Sequence, residues 1–426
     1  MTIDKLFFYK EPEFNNFTSN SNFVFVIVDI SGSLQKREIK DKLKKFVNNE
    51  KKWKKIVKET TFGLNLIFQE NDFNLKNHFV FKKNINIDSF LNKIINKPLK
   101  KYIPMWKLFM INNKNKTHLI FKCNHIYGDG YYLMNNIFIK YFMDNPINSS
   151  FLIREKNEKN ETNKKYKSKK NNFFYIFKII NFLLISFLMV VFIFMYLFNY
   201  FINCINNKIY NKMKNKKKMY KMKTNSLIKL NVNKCKLIKN KYKISMNTLI
   251  HYIILKSLYY YYKKDTINFL SIFANLNSKN KHFNVLPYFE TFYFSNNETN
   301  DHLQGLNTKI ELKKKIMNNG LLHNFSFGIT DFINKYTHSF LTSLYYDFFP
   351  NFDVSISNFH SYLRENTINN KKITNIYNSV IMHEIKLLFT CCSYDNYINI
   401  NLVCKKKYNI EKLKKCLKNV LCELSY

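Results

Sequence analysis

The stretch that decides the fold reads Cys123-Asn124-His125-Ile126-Tyr127-Gly128-Asp129-Gly130. An apolar run from Thr117 to Cys123 precedes it and an apolar stretch from about Tyr131 to Met143 follows, which predicts a strand, a loop and a helix. An imidazole at a strand end can accept a proton near neutral pH, because its unperturbed pKa is about 6.5. Asp129 can fold back to fix the loop, and the flanking glycines permit a tight turn. As bare spacing, however, H-x-x-x-D-G also fits a surface histidine beside a turn aspartate.

Strand and helix patterns alternate along the chain without tandem repeats. A strand is predicted over 22–30 and again over 267–275 and 397–403, and helices are predicted between 39 and 47, over 246–262 and over 410–424. With 426 residues the chain has room for a substantial core. We therefore expect an α/β or α+β enzyme fold built from two segments.

The composition changes sharply in the middle of the chain. None of residues 179–207 is charged. An uncharged run of this length is long enough for a membrane helix and would be unusual for a buried core helix. We therefore divide the chain into two folded segments, residues 1–150 and 225–426, and a middle part. The middle part consists of a polar basic linker (151–171), a hydrophobic membrane segment (172–207) and a second basic linker (208–224).

Lysines flank the uncharged run on both sides, so the positive-inside rule favours neither orientation of a single crossing. As a helix the run would be roughly 44 Å long, which is more than one crossing of ~30 Å and less than two. A re-entrant or in-plane element fits both facts, and the lysines can hold anionic head groups. No secretory signal is visible at the start. We expect a membrane location, in the endoplasmic reticulum or its equivalent, with both segments facing the cytosol.

The net charge of +40, from 69 basic and 29 acidic residues, raises the possibility of nucleic-acid binding. The lysines are scattered among asparagines and apolar residues, as coding sequence biased toward A and T would give, and no zinc spacing or RNP motif is present. We expect no specific nucleic-acid partner. The eight cysteines form no C-x-x-C pair and indicate buried thiols in a reducing compartment. No metal-ligand spacing or phosphate-binding loop is found, so no metal and no cofactor is expected.

The loop sequence resembles the H-H-x-x-x-D-G active-site motif of the bifunctional wax ester synthase/diacylglycerol acyltransferase (WS/DGAT) family, relatives of the CoA-dependent acyltransferase and condensation-domain superfamily. The resemblance continues along nearly the whole chain and in the correct order. Asp72–His78 is similar to the family's F-D-L-x-x-H-V strand, and Lys97–Trp106 is similar to its P-L-D-x-x-x-P-L-W stretch. Ser245–Thr248 resembles the V-N-D helix start, Asp353–Asn358 resembles the S-N-V-P-G-P stretch, and 387–403 resembles the terminal strand pair.

The resemblance implies a two-subdomain fold like that of chloramphenicol acetyltransferase and condensation domains, here with an inserted apolar membrane helix. It implies acyl transfer from a long-chain acyl-CoA, as substrate, to a fatty alcohol or diacylglycerol. His125 corresponds to the general base, and Asp129 and Gly130 to the residues that shape its loop. Asn247, Ser357 and Asn358 lie where oxyanion or substrate contacts are expected.

Several residues have structural interpretations beside the functional ones. His78 fits a hydrogen-bonded strand histidine, Trp106 fits the core, and His251 lies on an apolar helix. The chain also departs from the family pattern: Asn124 replaces the first histidine and Thr248 replaces an aspartate. A different turn, Phe359-His360-Ser361, follows Ser357 and Asn358. These departures motivate an alternative, in which the protein is a non-catalytic, membrane-anchored lipid-binding or scaffold protein that retains the fold.

Overall fold

The computed structural model describes residues 23–60, 63–67, 73–100, 102–128, 130–145, 222–274, 285–294, 298–318, 352–359, 365–381 and 386–425. The strands are β1 (Phe23–Ser31), β2 (Ile56–Thr60), β3 (Gly63–Ile67), β4 (Phe79–Lys83), β5 (Trp106–Asn113), β6 (Lys116–Asn124), β7 (Met222–Asn231), β8 (Thr266–Ala274), β9 (Val285–Tyr293), β10 (Val354–Phe359), β11 (Thr367–Ile368), β12 (Lys371–Ile381), β13 (Leu387–Tyr394) and β14 (Tyr397–Lys405). The helices are α1 (Lys36–Asn49), α2 (Ile87–Ile95), α3 (Gly130–Leu133), α4 (Val232–Lys241), α5 (Met246–Tyr262), α6 (Thr299–Asn318) and α7 (Ile410–Ser425).

The first sheet has the strand order β11-β12-β1-β6-β5-β4. Its centre is β1, whose aromatic and β-branched run is buried along most of its length. Phe23 in β1 faces Asn124 in β6 on one side and Ile381 in β12 on the other, and both pairs of strands are antiparallel. The C-terminal ends of β6 and β12 therefore lie on either side of the start of β1, at the same end of the sheet. The strand predicted over 22–30 is confirmed.

The second sheet has the order β7-β14-β13-β10-β8-β9, with β10 parallel to both of its neighbours. Side chains alternate between its two faces. Val354 and Ile356 belong to the apolar cluster that includes residues of α5 and α7. Leu388 and Cys392 instead join the cluster built on the first sheet. The second sheet is thus covered by helices on one face and by the first sheet's core on the other.

Sequence segments and sheets do not coincide. β12 belongs to the second predicted segment but forms part of the first sheet, where it pairs with β1. β7 begins at Met222, inside the region predicted as the linker 208–224, and pairs with β14 from its first residue. Long-range strand pairing decides both points, and a local pattern carries no information about it. The described parts of the two segments lie in one compact unit.

Asparagine and threonine side chains satisfy backbone groups at the margins of both sheets. On α2, Asn92 Oδ1 accepts a hydrogen bond from the N–H of Thr224 in β7. The carbonyl of Asn378 in β12 accepts hydrogen bonds from Thr390 Oγ1 at 2.7 Å and from Asn401 Nδ2 at 3.2 Å. Buried backbone groups must find partners, and here polar side chains supply them where no strand does.

Most predicted helices are confirmed, among them α1, α5 and α7. The helix expected from 131 to 143 is present but changes type: α3 continues as a wide π-helix over Met134–Phe142, and the Met143 N–H donates to the Phe138 carbonyl. Within the described ranges, no helix combines the length and apolarity needed to cross a bilayer. The predicted linker 151–171 and membrane segment 172–207 lie outside the described residues.

Candidate active site

His125 lies immediately after β6, where the chain leaves the first sheet. Asn124 is the last residue of the strand, and His125 begins a single 3₁₀ turn that ends at Tyr127. The N–H of Gly128 closes this turn by donating to the His125 carbonyl at 3.0 Å. The strand and loop predicted here are confirmed, and they place the imidazole at the end of a sheet held on both sides by other strands.

Tyr127 anchors the loop to the core. Its ring stacks on Trp53 with centroids 4.9 Å apart, and its hydroxyl donates to the Lys55 carbonyl and accepts from the Met105 N–H at 3.2 Å. The Met105 carbonyl in turn accepts from the Asn124 N–H at 2.9 Å. Met105 therefore holds residues on both sides of His125: its carbonyl binds Asn124 and its N–H binds Tyr127. The anchoring role of Tyr127 was not predicted from the sequence, although an aromatic residue two places after the histidine was a visible signal.

Glycine is favoured at positions 128 and 130 of the loop for different structural reasons. Gly128 has a φ of +153°, and a Cβ at this position would overlap the ring of Tyr132. At Gly130 a Cβ would lie 3.0 Å from Nδ2 of Asn378, so the missing side chain lets the start of α3 approach β12 closely. Asp129 between them lies outside the described residues, and its predicted role in shaping the loop stays a prediction.

Burial controls the electrostatics of His125. The residue is only 7% exposed. Burial lowers its pKa from 6.5 to about 4, while a hydrogen bond with its own backbone carbonyl acts in the opposite direction. The imidazole is therefore neutral at physiological pH and carries a lone pair that can accept a proton.

Trp106 and His78 lie in the core next to this loop. The Trp106 indole N–H donates to the Trp53 carbonyl at 2.8 Å. The His78 ring stacks on Trp106 with centroids 4.3 Å apart, and its Nδ1 is 2.9 Å from the Trp106 carbonyl. Burial lowers the pKa of His78 to about 4. These contacts give both residues a structural role.

The structure brings together Asn247 and Asn358, two residues predicted to contact substrate. Asn358 Nδ2 donates to Asn247 Oδ1 at 2.6 Å. The Asn247 carbonyl lies 2.8 Å from His251 Nδ1, and His251 Nε2 lies 2.6 Å from the Ser271 hydroxyl. Because a carbonyl can only accept, Nδ1 carries the proton and Nε2 accepts from Ser271. These four buried residues are linked by hydrogen bonds that pass through the backbone carbonyl of Asn247. The contact between His251 and Ser271 was not predicted from the sequence.

Ser357 and Asn358 point to opposite faces of β10, since side chains alternate along a strand. Asn358 shares the helix-covered face with Ile356. Ser357 is opposite Thr390 in β13, on the face turned toward the first sheet's core. Asn358 Oδ1 has no hydrogen-bond partner among the described residues. The predicted pair Ser357 and Asn358 is thus divided between two environments.

Thr248, which stands where the related family has aspartate, is used to begin α5. Its N–H donates to the Ser245 hydroxyl at 3.1 Å, which is a typical N-cap. Its hydroxyl donates to Asn307 Oδ1 at 2.8 Å. Thr248 therefore stabilises the start of α5 with an uncharged side chain. The described ranges contain no group of three or more histidine, cysteine, aspartate or glutamate side chains placed to hold a metal.

Comparison with known proteins identifies one family by sequence. Residues 291–425 match the model of the WS/DGAT C-terminal domain. The match confirms the predicted resemblance to the WS/DGAT family over this part of the chain, and with it the expectation of an acyltransferase. No curated protein matches the chain in sequence.

Solved structures share the fold over nearly the full length. The wax ester synthase/diacylglycerol acyltransferase from Marinobacter aquaeolei VT8 is 11% identical with a TM-score of 0.56, covering 95% of this chain and 94% of that one. Polyketide synthase associated protein 5 from Mycobacterium tuberculosis gives the same four values. The starter condensation domain of rhizomide synthetase RzmA is 8% identical with a TM-score of 0.54, covering 96% and 89%. The α/β two-subdomain fold of condensation-like acyltransferases is thereby confirmed.

Proposed function

We propose that this protein is an O-acyltransferase that moves a long-chain acyl group from acyl-CoA to the hydroxyl of a fatty alcohol or diacylglycerol. The observation that carries the proposal is the neutral, buried imidazole of His125, held at a strand end by the anchored Tyr127 loop. The WS/DGAT match at the C-terminus supports the reaction class. The name of the Marinobacter protein that shares the fold includes diacylglycerol as acceptor and wax ester as product, and a wax ester forms when the acceptor is a fatty alcohol.

In the proposed reaction His125 acts as the general base. Its ring nitrogen takes the proton from the acceptor hydroxyl as that oxygen attacks the thioester carbonyl carbon. The tetrahedral intermediate then breaks its carbon–sulfur bond, and the proton passes from His125 to the CoA thiolate. Ester and CoA thiol leave, and the imidazole is again neutral. A positioned base of this kind contributes about 10²–10⁴-fold to the rate.

Burial of His125 favours a short-lived imidazolium. A positive ring is poorly solvated there, which is why its pKa falls to about 4. The hydrogen bond to its own carbonyl offsets part of this penalty. We infer that the proton is relayed to the leaving thiolate quickly and is not stored on the ring.

The negative oxygen of the intermediate needs a hydrogen-bond donor. Asn358 is one candidate, because an amide nitrogen has two hydrogens and only one is used in the bond to Asn247. Asn247 and the hydroxyl of Ser357 are the other two. Asp129 would orient the loop, and Gly130 would let α3 reach β12.

Membrane association completes the proposal. The uncharged run 179–207 would hold the protein at the membrane that contains the acceptor and receives the product. The basic residues on both sides of the run would keep both segments on the cytosolic face. We place the protein at the endoplasmic reticulum or an equivalent membrane.

The test is product analysis of membranes that contain wild-type protein or His125→Gln, supplied with labelled acyl-CoA and either hexadecanol or diacylglycerol. We expect labelled ester from the wild type and about 10²–10⁴-fold less from the variant. His302→Gln, on α6, is the matched control and should retain activity. Absence of ester with both acceptors, despite folded wild-type protein, would contradict the proposal and favour the non-catalytic alternative.

A further inference from the structure

Four lysines lie near one another beside β6, the strand that leads to His125, and we call them the lysine corner: Lys97, Lys100, Lys107 and Lys122. Lys122 in β6 and Lys107 in β5 are direct cross-strand partners. Lys97 and Lys100 lie on the segment that joins α2 to β5. Like charges placed directly opposite each other on two strands are destabilising. Such an arrangement needs a reason beyond local structure.

Lys122 is the buried member of the corner, with 1% of its surface exposed. Its ammonium donates to the carbonyls of Ile94 at 2.8 Å and Lys97 at 2.6 Å, and it lies 4.1 Å from the ring centroid of Phe23. The carbonyls come from the end of α2 and the residues after it, so Lys122 also caps that helix. These contacts explain how one ammonium is tolerated, but not why three more lysines lie near it.

The charges of the corner act on one another. Burial and, to a smaller extent, the nearby positive charges of Lys107 and Lys97 together lower the pKa of Lys122 to about 7. Burial and the charges of Lys97 and Lys100 lower the pKa of Lys107 in the same way. Among the described residues, no carboxylate forms an ion pair with any lysine of the corner. The positive charge is therefore concentrated and uncompensated by the described part of the protein.

An aromatic side chain adjoins the corner. Tyr102 is 81% exposed and follows Lys100 by two positions, in the segment before β5. Lys97, Lys100 and Pro98 are exposed as well, while Lys107 is half-buried. His125 follows the end of β6, three residues after Lys122, so the two backbone positions are about 10 Å apart at the rise of a β-strand. The corner therefore lies beside the strand that leads into the candidate catalytic loop.

We propose that the exposed and half-buried lysines of the corner bind phosphate groups, either several on one ligand or those of several adjacent lipid head groups. Ammonium groups are common phosphate ligands, and a bound polyanion would relieve the repulsion among the four lysines. Two ligands have this chemistry: the CoA part of the acyl donor, which rests on the proposed function, and the head groups of anionic lipids. The exposed ring of Tyr102 suits both, through stacking on a base or insertion at a membrane interface.

The experiment measures binding to the full-length protein without turnover. Purified protein is titrated at low salt with CoA, with dephospho-CoA, and with vesicles of phosphatidylcholine with or without phosphatidylserine. Lys100→Gln and Lys107→Gln are compared with Lys45→Gln, which removes one charge from an exposed position on α1. We expect each corner variant to weaken binding about fivefold, as a contribution of ~1 kcal/mol per lysine gives, and the control to leave it unchanged.

The outcomes separate the two ligands. Weakened binding of CoA, with a smaller effect on dephospho-CoA, assigns the corner to the donor phosphates. Weakened binding of the anionic vesicles alone assigns it to lipid head groups. If both corner variants bind every probe as the wild type and Lys45→Gln do, the proposal is wrong. Because no ester needs to form, a corner that binds CoA in a protein without activity would overturn only the proposed function.

Discussion

The side-chain amide of Asn96 takes the place of a neighbouring strand for the backbone of Met222. Asn96 Nδ2 donates to the Met222 carbonyl at 2.8 Å, and its Oδ1 accepts from the Met222 N–H at 2.9 Å. The two residues are 126 positions apart in sequence. A helix of the first sheet's segment thus closes the outer edge of the second sheet, and it also supplies a carbonyl to Lys122.

Asn96→Leu should therefore destabilise the protein. Leucine fills the space but leaves one backbone donor and one acceptor at the edge of β7 without partners, which costs about 1–3 kcal/mol. Urea unfolding should show a lower midpoint than in the wild type. Asn49→Leu, at the exposed end of α1, is the control and should unfold like the wild type. Equal midpoints for the two variants would contradict the edge-closing role.

The two glycines Gly128 and Gly305 should respond in opposite directions to alanine. In Gly128→Ala the positive φ and the overlap with Tyr132 both act against a side chain, so we expect a loss of at least about 1 kcal/mol and lower activity. At Gly305, inside α6, a Cβ would meet nothing within 4 Å. Gly305→Ala should stabilise the helix by about 0.5–1 kcal/mol. Thermal unfolding of both variants measures the contrast.

His78 should make stability depend on pH on the acidic side. Its pKa falls from 6.5 to about 4 on folding, so below pH 6.5 the unfolded chain binds a proton that the folded chain does not. The stability due to this group is fully present above about pH 6.5 and is lost as pH falls toward 4, by about 3 kcal/mol in total. In His78→Gln the dependence should become shallower between these pH values. Unfolding curves at pH 7, 5.5 and 4.5 provide the comparison.

The same lowering at His125 predicts the shape of the rate profile. A general base works only when neutral, and burial lowers the pKa of His125 to about 4. The acidic limb of kcat/KM should therefore lie well below the pH of about 6.5 expected for an exposed histidine. A decline centred near pH 6.5, measured on protein that remains folded, would show that the free enzyme holds this ring in a solvated environment.

Asn247 and Asn358 should behave as a coupled pair. A double-mutant cycle with Asn247→Leu and Asn358→Leu should give a coupling of about 0.5–3 kcal/mol in unfolding free energy, since the two amides share a hydrogen bond. The control is a second cycle with Asn358→Leu and Asn96→Leu. These two side chains share no contact, so the two effects on unfolding free energy should add. If Asn358 also supplies the oxyanion donor, its replacement should lower kcat by about 10²–10³-fold. Coupling without loss of kcat would limit the pair to a structural role.

Local sequence determined the strands and helices that carry the site. The apolar run before His125 predicts a buried strand, Gly128 predicts a turn after it, and the spacing of apolar residues predicts α1, α5 and α7. These features depend on near neighbours, because side-chain period and glycine freedom act over a few residues. The motif and its family resemblance were readable for the same reason.

Tertiary structure alone decided which distant residues meet. Nothing local indicates that β12 joins the first sheet, that Asn358 meets Asn247, or which face of β10 packs toward the first sheet's core. Such contacts depend on strand register and on the burial of polar groups far apart in sequence, and the free energy of those pairings belongs to the assembled core. The lowered pKa of His125 has the same origin, because every histidine has the same imidazole and it is burial in the folded protein that lowers the pKa of this one.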